Sequence, residues 1–187
     1  GFSSVMFDGS KLSFEDNMEK TQELVRLCKE KGVSIEAEVG SIGGEEDGVI
    51  AAGECADPKE CKRIADLGID FLAAGIGNIH GKYPANWQGL NFEVLENVKK
   101  EVGDMPLVLH GCTGMKDEIV KDAIKLGVAK INFGTEIRYK YVQHYEEALK
   151  ELNHQGHSWK LSQFANERLQ EDVKRIIRLA GSDGKVK

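Results

Sequence analysis

Proline is scarce in this chain: 187 residues hold 3, against 21 glycines. That ratio points to many tight turns in a folded chain rather than to a disordered one. No apolar run approaches the roughly 18 residues that a membrane-spanning helix needs, so no membrane partner is expected. Positive charge is not in surplus either. The formal net charge of -6 argues against a general nucleic-acid binder, although local groups can still receive a phosphorylated substrate. Cysteine is limited to Cys28, Cys55, Cys61 and Cys112, whose spacing matches neither a zinc finger nor a redox pair. Reduced thiols in a cytoplasmic protein are the expectation. No signal peptide, internal repeat or low-complexity stretch is visible. What is there, 41% hydrophobic and 30% charged residues, is ordinary for one globular domain or part of a larger one.

Apolar periodicity divides the chain. Short runs at 3–7, 33–39, 69–76, 107–109 and 128–133 read as strands. Amphipathic stretches at 14–31, 57–67, 92–102 and 116–126, and roughly 137–152 and 164–180, read as helices. The glycine-rich acidic segment 40–48 reads as a loop. Strand and helix alternate with short links, the pattern of a parallel sheet with right-handed crossovers. A closed (β/α)8 barrel takes about 250 residues. The expected α/β architecture is therefore either an open sheet or a piece of a TIM barrel, in one domain over 1–187.

In such folds chemistry gathers at the carboxyl ends of the strands. Here those ends carry Asp8, Glu38, His80, His110 and the stretch Asn132 to Thr135. His80 and His110 are each followed by a glycine and are candidate metal ligands. Two neutral imidazoles suit zinc, but a catalytic zinc normally has three protein ligands and an open position. The bland alternative is two turn histidines satisfied by hydrogen bonds. Glu36 and Glu38 alternate with Ile35, Ala37 and Val39, so both carboxylates share the face opposite the apolar one. Inside a barrel they would need a partner or a metal. Glu45, Glu46 and Asp47 lie on the glycine-flanked loop, which could close over a substrate and move a proton, or be a solvated tip. Gly111 to Thr113 and Asn132 to Thr135 suit phosphate, unless Thr113 and Thr135 are simply helix caps. His144, His154 and His157 read as surface or packing residues.

Five ordered motifs carry a resemblance: VMFDGS at 5–10, EAEVGSIGGEEDG at 36–48, GNIHGKY at 77–83, LVLHGCTG at 107–114 and INFGTE at 131–136. Together they resemble the class II, metal-dependent fructose-bisphosphate and related ketose-bisphosphate aldolases. The resemblance implies a (β/α)8 barrel of which this chain holds about five β/α units, strands 4–8, plus the C-terminal helices. It implies reversible, zinc-dependent cleavage of a ketose 1,6-bisphosphate to dihydroxyacetone phosphate and an aldehyde. Carried over by motif, His80 and His110 would be two of three zinc ligands, with Asp8 and Glu38 near a second or resting metal position. Glu46 would take part in proton transfer. The carbonyls of Gly81 and Gly111 would help hold a monovalent cation, K+ or Na+. Gly81, Gly111, Thr113, Asn132, Gly134 and Thr135 would meet substrate oxygens and phosphate. A homodimer or homotetramer is the implied assembly.

Two departures stand out. The family's D-H motif, with its first metal histidine and catalytic aspartate, is absent, as in a chain that begins at strand four. Gly134 stands where fructose-type members usually carry Asp or Asn and tagatose-type members Ala. Tagatose bisphosphate, a deoxy-keto-gluconate phosphate or a sulfonated sugar phosphate are the alternative substrates. A truncated, non-catalytic subunit or binding module is the alternative role. An isomerase- or synthase-type barrel that uses the phosphate cradle without metal is a third reading, against which the pairing of His80 and His110 with Glu38 argues.

Overall fold

The computed structural model describes residues 1–46, 49–51, 53–153, 155 and 157–186. In chain order the elements are β1 (Ser4–Phe7), α1 (Phe14–Lys31), β2 (Ser34–Val39), β3 (Gly43–Glu46), β4 (Val49–Ala51), α2 (Pro58–Ala65), β5 (Phe71–Ala74), β6 (Ile79–His80), α3 (Phe92–Val102), β7 (Leu107–Leu109), α4 (Asp117–Lys125), β8 (Val128–Ile131), α5 (Thr135–Glu151) and α6 (Ser158–Leu179). They fall into two compact units, Gly1–Asn132 and Phe133–Lys187.

In the first unit five strands make one sheet in the order β1-β2-β5-β7-β8. Every pairing is parallel. Register fixes the two faces, because paired residues point the same way and neighbours along a strand point oppositely. Ala37 pairs with Leu72, and Leu72 with Leu107, so these share the apolar face with Ile35 and Leu109. All of these are at most 2% exposed, and α1, α2 and α4 pack on the strands. Full burial of each large aliphatic side chain stabilises by roughly 1.5–3 kcal/mol. Glu36 and Glu38 point to the other face, opposite Phe71 and Ala73.

Local signals set the helix ends. The Ser13 side chain accepts from the Asp16 N–H, and Gly32 closes α1 in the left-handed region. Asp57 caps α2, with Pro58 as its first residue. From α1, the buried Asn17 donates through Nδ2 to the backbone carbonyl of Glu38 at 2.9 Å, and accepts from Thr21 Oγ1 at 3.1 Å. This pins the helix to the chemically loaded end of β2.

Two sequence expectations are corrected. The segment 40–48 is not a plain loop: β3 pairs antiparallel with β4 and parallel with β6 in a second sheet. A glycine-rich acidic run shows no strand periodicity, and its pairing with residues more than thirty positions later is a tertiary event. His80 accordingly does not end the third main strand. That strand, β5, stops at Ala74, and His80 lies in β6.

The second unit pairs α5 with α6. Helix α6 begins at Ser158, six residues before the expected start, and α5 at Thr135, two residues early. The Ser158–Lys160 stretch, with Trp159 60% exposed, lacks a periodic apolar face, so periodicity could not find it. Long-range polar contacts sit along this pair, such as Tyr145 with Ser162 at 2.5 Å and Arg175 with Glu136 at 2.6 Å.

Candidate functional site

Side chains from β2, β7 and β8 converge on the polar face of the first unit. β2 and β8 are three strand positions apart, about 14 Å in a flat sheet. Yet Lys130 Nζ donates to Glu36 Oε2 at 2.8 Å. The sheet curves around this face. The other carboxylate oxygen, Glu36 Oε1, lies 2.7 Å from His110 Nε2. Lys130 also donates to Asn132 Oδ1 at 3.0 Å, and Asn132 Nδ2 lies 3.1 Å from His110 Nδ1. The four residues close a hydrogen-bonded ring. Glu36 is 2% and His110 6% exposed, so water competes little for the bond between them, while the Lys130 side chain is 38% exposed. Burial pushes the Glu36 carboxyl up, but the hydrogen bonds from His110 and Lys130 and the ammonium charge outweigh it and hold the group below 4.5.

His80 approaches edge-on to His110, with ring centroids 5.9 Å apart. Backbone contact sets this distance. A Cβ on Gly111 would stand 2.4 Å from the Ile79 carbonyl oxygen, and one on Gly44 2.0 Å from that of His80. Both glycines have positive φ, so no other residue fits without strain. Buried Asn78 donates to the His110 carbonyl at 3.1 Å and accepts from the Ile76 N–H at 2.9 Å. Tyr83 donates to the Gly111 carbonyl at 2.6 Å and accepts from the Ile79 N–H at 3.1 Å. Its burial pushes the phenol up to about 12, so it stays a donor.

The remaining expected site residues are spread more widely. Glu38 is 3% exposed and accepts from the Ile42 N–H at 3.3 Å. Asp8 is exposed and accepts from the Ser10 N–H at 2.9 Å in a local turn. Thr113 is half-buried, in the turn before α4. Gly81 has a φ of 88° and open space around its Cα. In the second unit Gly134 is the N-terminal cap position of α5, whose first helical residue is Thr135. The Glu46 backbone belongs to β3, while the side chains of Glu45 and Glu46, and Asp47 entirely, lie outside the described residues. His154 lies outside them as well.

Sequence reasoning missed Lys130, Asn78 and Tyr83. Lys130 had a signal, a lysine two residues before Asn132 in the strand that leads to it. Glu36 had been singled out only as needing a partner.

Imidazoles and carboxylates suit zinc, and the two rings meet edge-on with centroids 5.9 Å apart. Yet among the described residues no group of three His, Cys, Asp or Glu side chains could hold an ion. The described residues thus supply two imidazoles toward a site that needs more.

Fold and site together define a parallel α/β protein with an imidazole–carboxylate centre at the carboxyl edge of its sheet. The model of the class-II fructose-bisphosphate aldolase family matches residues 1–185, and the chain belongs to that family. The Mycoplasma pneumoniae fructose-bisphosphate aldolase is 52% identical over 156 residues, which cover 82% of this chain and 54% of that protein. The Streptococcus pyogenes serotype M3 enzyme of the same name is 56% identical over 136 residues, 73% of this chain and 46% of that protein. The solved YdjI aldolase of Escherichia coli K12 superposes with a TM-score of 0.81 at 35% identity, over 100% of this chain and 63% of that one. The chain spans about half the length of the curated relatives it matches.

Proposed function

We propose that this chain carries the second-half chemistry of a class II aldolase that reversibly cleaves a ketose 1,6-bisphosphate to dihydroxyacetone phosphate and an aldehyde. The observation that carries this reading is the His80–His110 pair, held edge-on with His110 bonded to buried Glu36, in a chain of this family. The curved five-stranded sheet is, in this reading, strands 4–8 of a (β/α)8 barrel in one domain over 1–187. His80 and His110 would hold a zinc ion together with donors from outside this sequence. A bound zinc supplies Lewis acidity toward the ketose carbonyl and the enediolate.

The chain's own residues have separate tasks. Glu36, Asn132 and Lys130 orient the His110 ring. Asn78 and Tyr83 hold the two histidine-bearing turns together, and Tyr83 engages the Gly111 carbonyl that is proposed to help hold a K+ or Na+ ion. Glu38 and Asp8 are assigned to a second, resting metal position. Glu46 moves a proton at the dihydroxyacetone carbon. Gly81, Gly111 and Thr113 present backbone and hydroxyl groups to substrate oxygens, and Gly134 and Thr135 stand at a helix N-terminus, where N–H groups attract phosphate. A homodimer or homotetramer in the cytoplasm is the proposed setting. No described helix is long and apolar enough to cross a membrane.

The test is a coupled assay for triose phosphate release from fructose and tagatose bisphosphates. The 187-residue chain is assayed alone and with a separately expressed N-terminal part of a family member, with and without chelator. Chelator-sensitive release that is restored by zinc supports the reading. No release in either arm moves the assignment to a non-catalytic subunit.

A further inference from the structure

We propose that His144 is a proton-operated latch between α5 and α6: protonated, its ring joins a carboxylate of each helix, and neutral, it releases one of the two. The latch lies within the second unit and stands apart from the aldolase reading. Helix α5 packs against α6, and charged groups from both helices surround the ring. Asp172 Oδ2, from α6, is 2.7 Å from His144 Nε2. Glu147 Oε2, one turn further along α5, is 3.0 Å from Nδ1. Arg168 of α6 reaches Glu147 at 3.5 Å and Glu151 at 3.4 Å. Nearer the start of α5, Arg175 meets Glu136 at 2.6 Å. The His144 side chain is 11% exposed, so water is a poor substitute for these partners. Arginine keeps its charge at any ordinary pH. Histidine is the group whose charge changes near neutrality. The other titratable cross-helix group is Tyr145, bonded to Ser162, whose phenol is drawn below 10 by its hydrogen bonds with Ser162 and Tyr141.

The release follows from counting donors. An imidazolium donates from both nitrogens, and ionised carboxylates only accept. A neutral ring keeps one proton, so one carboxylate then faces a lone pair. Glu147 has a second donor at hand in Arg168. Asp172 has no second partner among the described residues. The remaining proton therefore stays on Nε2 toward Asp172, and Glu147 turns to Arg168. The helices keep their apolar contact, but the tie between them loses the charge that strengthens it. Burial pulls the imidazole down, yet the bonds and charges of Asp172 and Glu147 outweigh it and raise it above 6.5. The latch is thus complete below 6.5 and opens as pH rises through the folded value.

The experiment follows two readouts on the full 187-residue chain across pH. Amide hydrogen exchange, corrected for the intrinsic pH dependence of exchange, reports the opening of α5 and α6. NMR of the histidine ring reports the protonation of His144. The expected result is that the two helices open about fivefold more in the alkaline form, the size of one net hydrogen bond. The midpoint of that step should coincide with the ring titration and lie above 6.5. His144→Gln, neutral at every pH, should abolish the step and hold the alkaline level throughout. Should that variant fail to fold, Asp172→Asn leaves the ring a single carboxylate and should move the ring titration and the exchange step together to lower pH. A wild type without a step, or a step whose midpoint departs from that of the ring, overturns the proposal. So does a His144→Gln variant that keeps the step, or an Asp172→Asn variant in which the ring midpoint has not moved.

Discussion

His110 in the first unit and His144 in the second are both buried, and both use two ring nitrogens, yet their surroundings ask opposite things of them. His144 faces a carboxylate on each side: Glu147 Oε2 is 3.0 Å from Nδ1 and Asp172 Oδ2 is 2.7 Å from Nε2. Both partners only accept, so both nitrogens must donate. Burial pulls the His144 imidazole down, but the hydrogen bonds and charges of Asp172 and Glu147 outweigh it and raise it above 6.5. This histidine ties α5 to α6 between two carboxylates that favour its protonated form. His110 has a carboxylate oxygen beside Nε2 and an amide nitrogen beside Nδ1, so its two nitrogens meet unlike partners. Burial of a histidine is therefore no guide to its chemistry; the direction of its hydrogen bonds is.

The largest test breaks the His110 side. Glu36→Ala removes the only carboxylate in the ring, leaving buried His110 Nε2 without its acceptor and Lys130 with Asn132 Oδ1 alone. Chemical denaturation is expected to show a loss of about 3 kcal/mol at neutral pH. The Glu36 contribution is fully present above its unfolded value of 4.5, because the folded value is depressed, and it is lost as pH falls through that folded value. The gap between wild type and variant should thus narrow on acidification; a constant gap counts against the ionised pair.

A smaller effect is expected from moving His110 relative to His80 without touching either ring. Gly111→Ala forces a side chain into a φ of 73° and against the Ile79 carbonyl. A cost of about 2 kcal/mol is expected, with a changed His80–His110 separation in a crystal structure of the variant. An unchanged stability would mean that the two turns are not in the described contact.

The smallest effect belongs to the other histidine. His144→Phe keeps the volume and removes the cation, at a cost of about 1 kcal/mol. The pH dependence runs the other way from that of Glu36. A raised folded value means that the contribution is complete below 6.5 and fades as pH rises through the folded value. Urea unfolding of the wild type and variant on both sides of 6.5 should converge toward alkaline pH, whereas a gap that widens there would refute the imidazolium strut.

Much of this was legible before any coordinates. The β/α alternation, the helix over 14–31 and the shared face of Glu36 and Glu38 follow from side-chain period, which acts within a few residues. The expectation that buried Glu36 needs a partner was physical, and the partner exists. His144 read as a surface or packing residue, because a histidine on a helix does not announce acceptors that come from 3 and 28 residues away. The small sheet of β3, β4 and β6 was not legible, because glycine and glutamate carry no strand period.

By itself the sequence determined the class of fold, the family and the chemical groups at the strand ends, since local periodicity and motif order are written along the chain. Only the tertiary structure decided which groups meet. Glu36 and Lys130 are 94 positions apart and His110 and Glu36 are 74. Their contact depends on strand order, register and the curvature of the sheet, which arise from packing between elements and are not encoded at any one of these residues.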